Sequence, residues 1–575
     1  MNFKSYNRKE KTLLIIGCFA ILAAIVILIC ISYPTLFCGK KVRFKSSYKD
    51  KAVTLEATYW KADSPEYAVL ICPGYSCDRQ KWRPMANLFA ANNLAVMTFD
   101  YAGQGASSST IGFDNAKTDA IPVEIADAIE LLHSLSGLDY ENIILVGHSM
   151  GGRSILRLLY DYNSPDTKTS VVHRPIKSVI LFSPEVNYNF NAQASLFAGT
   201  SDENEEPWRS YSAAYTKGVD VYLFGSTADD IVSDEDVLSI YAHMGGSGAP
   251  ASGKWQGYTV NEVGSHISVG ITGGVLHSYE MYSPKFCRFV KDALHLEKYS
   301  PVNFSLIYVG WIFALSGLAL VLLVLNSKAD FSDKTFHEEH GLPVLNNESS
   351  FLKHKLLMWL PTCIVAFLLC SLCVVLPFGS PVMNIPYMCF ISGYGIVMLI
   401  AYRKGHFKGT DGTLPRPTLK CKSSGKKELV TAILLSCGLT FFVWFVLILT
   451  MYKLPPLNLR LFWLIFATGL MAIGFYISGC ETDMLKISHA SRKTVILYSL
   501  IQYVPLFLLV LFYLVIKSYS GMIGQAQNLL LMYIFCIPIG NFLRVKSGNR
   551  LIGALVSAFI FQAIMITSAA LIAIF

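Results

Sequence analysis

Apolar positions along this chain follow two regimes. From about residue 44 to 298, short apolar runs alternate with stretches of helical period. "AVTLEATYWKA" (52–62), "EYAVLICPG" (66–74), "LAVMTFDY" (94–101), "NIILVG" (142–147), "SVILFSPE" (178–185), "DVYLFGS" (220–226) and "GYTVNEV" (257–263) are brief, rich in β-branched and aromatic residues, and read as strands. Helical patterns fall at 79–92, 118–136, 151–162, 233–244 and 284–297. This alternation predicts an α/β domain with a mainly parallel sheet and helices on both faces.

The second regime is one of long apolar runs. A helix that crosses a bilayer needs roughly 20 mainly apolar residues. Residues 12–33 qualify, and so do about 303–326, 354–377, 383–402, 428–451, 461–479, 494–516, 527–543 and 551–575. The expectation is one span ahead of the α/β domain and, over 303–575, an all-α polytopic membrane bundle of about eight. The first run follows a basic start, "MNFKSYNRKEK" (1–11), and is too long for a cleaved signal core. No small-x-small site follows, so it reads as a signal anchor with residues 1–11 in the cytoplasm.

Composition agrees. Hydrophobic residues make up 53% of the 575 and charged residues only 15%, against about 25% in a water-soluble chain. The net charge of +8 comes from Lys and Arg in loops beside apolar runs. Membrane topology explains these, so nucleic-acid binding is not expected. Alternate loops carry Lys328, Lys334 and Lys353; Arg403 to Lys427; Lys486, Arg492 and Lys493; and Arg544, Lys546 and Arg550. Those loops are expected inside, which puts the α/β domain outside a plasma membrane, of bacterial type by composition. The basic stretch 39–51 runs against this pattern, but long domains translocate largely regardless of charge. "GCETDMLKISHASRK" (479–493) reads as a solvated loop, and Asn384, Gln502, Asn541 and Gln562 as scattered interhelical contacts. The 14 cysteines lack metal-ligand spacing, and no metal or cofactor is expected. Cys38, Cys72, Cys77 and Cys287 are open to pairing in an oxidising compartment.

The chemistry centres on "LVGHSMGG" (145–152), where a strand ends and a helix opens. Gly147-x-Ser149-x-Gly151 has the form of a nucleophile elbow, with the Met150 N–H aimed at a developing oxyanion. A serine hydroxyl needs a base, and the base an orienting acid. On such a sheet the order is Ser, Asp or Glu, then His. "YLFGSTADDIV" supplies Asp229 after one strand, with Asp230 as the alternative, and "VNEVGSHISVG" supplies His266 after the next.

With "CPGYSCDRQKW" (72–82), "FDYAGQGASS" (99–108), "GSTADDIV" (225–232) and "GSHI" (264–267), these residues resemble the α/β-hydrolase superfamily, near the serine aminopeptidase and monoacylglycerol-lipase-like esterases. The resemblance covers 44–298 and implies a second oxyanion N–H at Tyr75. Pro73 and Gln104 stand where the family commonly has His. The segment 186–218 falls where the superfamily inserts a cap, and reads either as a small lid with Phe197 and Trp208 as its walls or as an ordinary surface excursion. The expected activity is a serine hydrolase acting on an acyl-ester or lipid-like substrate. The alternatives are a peptidase cleaving an amide or an acyltransferase, both using the same acyl-enzyme, or a transporter or sensor bundle with an accessory hydrolase domain.

Overall fold

The computed structural model describes residues 6–572 apart from 36–37, 49–50, 111–114, 164–171, 186–211, 249–252, 254, 328–343, 346, 377–379, 382–383, 406–425, 451–457, 503, 516–518, 548 and 567–570. Nine strands form one sheet: β1 Gly39–Tyr48, β2 Lys51–Trp60, β3 Ala68–Cys72, β4 Ala95–Asp100, β5 Ile143–His148, β6 Ser178–Phe182, β7 Asp220–Ser226, β8 Trp255–Val260 and β9 His266–Thr272. Their order is β1-β2-β4-β3-β5-β6-β7-β9-β8. Strands β3 to β7 and β9 are mutually parallel, while β1, β2 and β8 run antiparallel to their neighbours. The central strands are buried along their whole length, which is why they read as continuous apolar runs rather than alternating ones.

Two strands depart from the sequence expectation. The stretch 39–48 is an edge strand in which Val42 and Phe44 alternate with Arg43 and Lys45; its charges hide a period of two and also blunt the sheet edge. The run 257–263 is not the last strand. Asn261 closes a turn, its N–H donating to the Ser265 carbonyl at 3.0 Å and its Oδ1 accepting from the Val263 and Ser265 N–H groups. The chain then returns as β9, with His266 as its first residue.

One face of the sheet is covered by α3 (Asn115–Ser136), α4 (Met150–Asn163) and α5 (Asp234–His243). The other carries α2 (Arg83–Ala91) and α6 (Pro284–Ala293), with Trp82, Phe89, Phe182 and Phe286 at the centre of its core. That core also holds Leu28 and Ile31 from α1 (Arg8–Ser32) and Phe304 and Ile307 from α7 (Pro301–Ser327). Thus the two helices that flank the domain in sequence complete its hydrophobic layer. Cys38, Cys72, Cys77 and Cys287 are all free thiols. The expected cap lies mostly outside the described residues; at its end, Ala213–Thr216 forms a 3₁₀ turn.

The helical half continues with α8 (Glu348–Leu357), α9 (Trp359–Val374), α10 (Ile385–Arg403), α11 (Lys426–Thr450), α12 (Leu459–Ile487), α13 (Arg492–Gln502), α14 (Val504–Val515), α15 (Tyr519–Leu531), α16 (Ile537–Ser547) and α17 (Arg550–Met565). Among the described residues six helices are long and apolar enough to cross a membrane, or seven if the bent pair α13–α14 is one span. Each of the nine expected runs overlaps a helix among the described residues, although 551–575 is helix only to Met565, with Leu571–Ile572 paired to Ser380–Pro381, and Arg550–Met565 and the apolar stretch Ser436–Leu447 of α11 are shorter than a span. Of the charged stretch 479–493, only 488–491 is a loop, with His489 and Ser491 exposed. Helix α12 runs on to Ile487, and Glu481 and Asp483 are buried. Glu481 accepts from Lys355 and from the Tyr394, Tyr402 and Tyr498 hydroxyls. Asp483 pairs with Arg544 and Arg550. Asn384 and Gln562 make the interhelical contact expected of them, hydrogen-bonded to one another.

Candidate active site

The C-terminal ends of the parallel strands hold the site. Ser149 follows β5 and has φ +52°, left-handed backbone that a residue with a Cβ adopts only under constraint. The constraint is visible in its neighbours. A Cβ on Gly147 would meet Ile155 and the Gly152 backbone at under 3 Å, and one on Gly151 would strike the Cys72 carbonyl. The strand-to-helix turn closes because both positions are glycine. The Ser149 N–H donates to the Phe182 carbonyl at 3.0 Å, tying the turn to β6. Met150 begins α4, so its N–H belongs to the helix's unsatisfied first turn. Tyr75 follows Gly74, where a Cβ would lie 2.6 Å from His148 Nδ1 and 3.2 Å from Ser149 Cβ. The loop after β3 therefore passes directly over the elbow.

Asp229 lies in the turn after β7. Its Oδ1 accepts the Ile231 and Val232 N–H groups at 2.8 and 2.9 Å. Its Oδ2 accepts from His277 Nδ1 at 2.7 Å. Burial alone would raise this carboxyl, but the His277 ring and the two backbone N–H groups outweigh it and hold Asp229 below the ordinary range. Because Nδ1 donates to the carboxylate, His277 presents Nε2 as an acceptor.

The histidine of the pair is thus His277, not His266. His266 pairs with Val260 at the start of β9, ahead of the step where β9 registers with Val221 of β7. Ser149 and Asp229 follow the other ends of their strands. His266 is half-exposed, 3.8 Å from Asp220. His277 follows the finish of β9 and opens the 3₁₀ turn His277–Tyr282. The sequence signal for it was "HISVGIT" followed by Gly273-Gly274, a strand with its stop, which puts the strand-end histidine in the next stretch.

Behind the pair lies a second buried layer. His148 Nε2 is 3.2 Å from the His277 carbonyl, which can only accept, so Nε2 carries the proton. Burial, then the neighbouring His277, push His148 well below the usual imidazole range, so it is neutral. Glu280 is fully buried, with Oε1 accepting from Ser183 Oγ at 2.5 Å and Oε2 lying 3.3 Å from His148 Nε2. Burial, then the adjacent Asp229, push its carboxyl well above the ordinary range, so it holds a proton. His148, His277 and Glu280 converge within 4.8 Å; each ring gives one nitrogen to a protein acceptor, and His148 Nδ1 is buried without a hydrogen-bond partner. Nothing in the sequence pattern pointed to Glu280.

Residues 67–229 match the alpha/beta hydrolase fold family. A protein of Synechocystis sp. named "Putative non-heme chloroperoxidase" is 27% identical over 181 residues, which are 30% of this chain and 60% of that relative's length. Among solved structures, an esterase of Pyrococcus furiosus is similar at 15% identity over 45% of this chain and 91% of its own, with a TM-score of 0.31. An esterase of Thermogutta terrifontis is similar at 14% identity over 44% and 98%, also with a TM-score of 0.31.

Proposed function

The chain belongs to the α/β-hydrolase superfamily through residues 67–229, and we propose that it is a membrane-anchored serine hydrolase that cleaves an ester through an acyl-enzyme. The observation that carries this reading is the Asp229–His277 hydrogen bond at the strand ends beside the strained Ser149. His277 Nε2 takes the Ser149 proton as Oγ attacks the acyl carbon. The Met150 and Tyr75 N–H groups stabilise the oxyanion. The ester C–O bond breaks, and the leaving alkoxide takes the proton from His277. Water, deprotonated by the same nitrogen, then releases the acid and restores Ser149. Asp229 fixes the tautomer throughout. An alcohol in place of water would turn the same intermediate to acyl transfer, which product analysis separates. Loop charge favours a domain outside the plasma membrane, anchored by α1 and the helical half.

A membrane-impermeant fluorophosphonate applied to intact cells tests this. Wild type is expected to label and Ser149→Ala not. His277→Ala is expected to lower ester turnover by about 10⁴-fold or more, while His266→Ala stays within about twofold, as surface substitutions do. Equal labelling of wild type and Ser149→Ala would sink the proposal. A collapse on His266→Ala with His277→Ala active would sink the assignment of the base.

A further inference from the structure

The catalytic end of the sheet is the end that meets the helical half. The loop after β4 receives three hydrogen bonds from it. Arg460 and the Leu571 N–H both donate to the Gly103 carbonyl, at 2.8 and 3.0 Å, and Asn458 donates to the Ala106 carbonyl at 2.7 Å. Arg460 is fully buried at this junction. On the far flank, Gln527 bonds the Tyr279 hydroxyl, two residues past His277, and Tyr282 packs edge-on against Trp311 of α7 at 5.1 Å.

The path of α7 agrees. Lys298, just ahead of it, bonds Asn92 at the end of α2, beside the starting end of β4. Ten residues on from Pro301, Trp311 touches the 3₁₀ turn that follows the finish of β9. Ten helical residues rise about 15 Å, close to the roughly 17 Å of a five-residue strand. Thus α7 runs along the sheet from its starting end to its catalytic end. Leu28 and Ile31 place the last turns of α1 on the same layer.

A cleft of about 350 Å³ lies at this junction, lined by Val275, Leu276, Tyr279, Pro284 and Tyr308, between the stretch that carries His277 and α7. A second, of about 410 Å³, lies between the β4 loop and the start of α12, against Ala106, Ser107, Asn458 and Arg460.

We propose that the acyl substrate of Ser149 is a bilayer-resident lipid ester that reaches the site from the leaflet into which α1 and α7 lead, at the junction of the catalytic end with the helical half. This rests on the hydrolase reading above. A water-borne ester would need no such orientation. A lipid ester would otherwise have to leave the bilayer and travel around the domain.

Full-length protein reconstituted into phosphatidylcholine vesicles provides the test. A fluorogenic acylglycerol is placed either in the same vesicles as the protein or in separate ones. Short-chain p-nitrophenyl butyrate and fluorophosphonate labelling run alongside. The expected result is Ser149-dependent cleavage in shared vesicles, at a rate set by the mole fraction of lipid ester in the bilayer, and little cleavage across vesicles. Asn458→Ala, which removes one hydrogen bond at this junction, is expected to lower the shared-vesicle rate by about fivefold. Labelling and p-nitrophenyl butyrate turnover without acylglycerol cleavage would overturn the inference and leave the hydrolase reading intact, as would equal rates in shared and separate vesicles. No labelling and no turnover of either ester would overturn both.

Discussion

At the scale of single residues, the site depends on protons held in unequal places. Glu280 sits three positions beyond His277 on the same 3₁₀ turn and stays neutral because burial and Asp229 both oppose its charge. An acid whose folded pKa lies above its unfolded value of about 4.3 loses stability for the fold as pH rises past that value, because the unfolded chain gives up its proton first. Asp229 acts in the opposite sense, with a stabilisation present above about 3.9 and lost as pH falls through its depressed pKa. Glu280→Gln keeps both the acceptor for Ser183 and a neutral head. Its melting temperature relative to wild type is therefore expected to rise from pH 5 to pH 8, with ester turnover retained. Taking the difference removes the parallel contributions of Asp100 and Glu124, raised by burial to about 6 and about 8. A difference flat in pH would show that Glu280 carries charge in the fold. Ser149 and Asp229 were legible because their signals are local, a glycine-flanked serine and an acid after an apolar run. Glu280 was not, because its role comes from three strand ends meeting in space.

At the scale of elements, each glycine of the elbow stands where two backbones touch. Gly151→Ala would push a methyl group onto the Cys72 and Pro73 carbonyls, so the strand-to-helix turn must open. The overpacking is expected to cost about 1–3 kcal/mol, and a displacement near 1 Å at Ser149 about 100-fold in turnover. Thermal unfolding and ester hydrolysis of the variant read the two effects separately, and wild-type values in both would show that the turn gives way without strain. The elements also explain why His277 rather than His266 meets Asp229. Between Val260 and His266 the chain turns on Asn261 and Gly264. Read without that hairpin, His266 falls after a strand; read with it, His266 begins one, and every later residue moves to the other end of the sheet. The same limit applies to 479–493, where charge along the chain looks like solvent exposure until Lys355, Arg544 and Arg550 arrive from other helices. Such pairs lower the penalty of burying their charges rather than adding much net stability.

At the scale of the whole molecule, the two halves share one core. Leu28, Ile31, Phe304 and Ile307 are each at most 4% exposed and lie in the layer of Trp82, Phe182 and Phe286. At roughly 1.5–3 kcal/mol per buried side chain, the four together contribute about 6–12 kcal/mol, comparable with the whole stability of a typical domain. A fragment spanning 39–300 is therefore expected to aggregate, while one spanning 8–327 stays monodisperse in detergent by size-exclusion chromatography. A monomeric 39–300 fragment with wild-type melting behaviour would show that the flanking helices only tether.

That shared core also sets an order of events during synthesis. Leu28 is made before any strand of the sheet, and Phe304 after the last of them. The layer that covers α2 and α6 therefore stays open while all nine strands emerge, and closes when the first turns of α7 follow. At about 5–20 residues per second, the interval between Leu28 and Phe304 lasts some tens of seconds. Throughout that time the nascent domain shows an uncovered apolar face, and completion of its core waits on the first turns of α7.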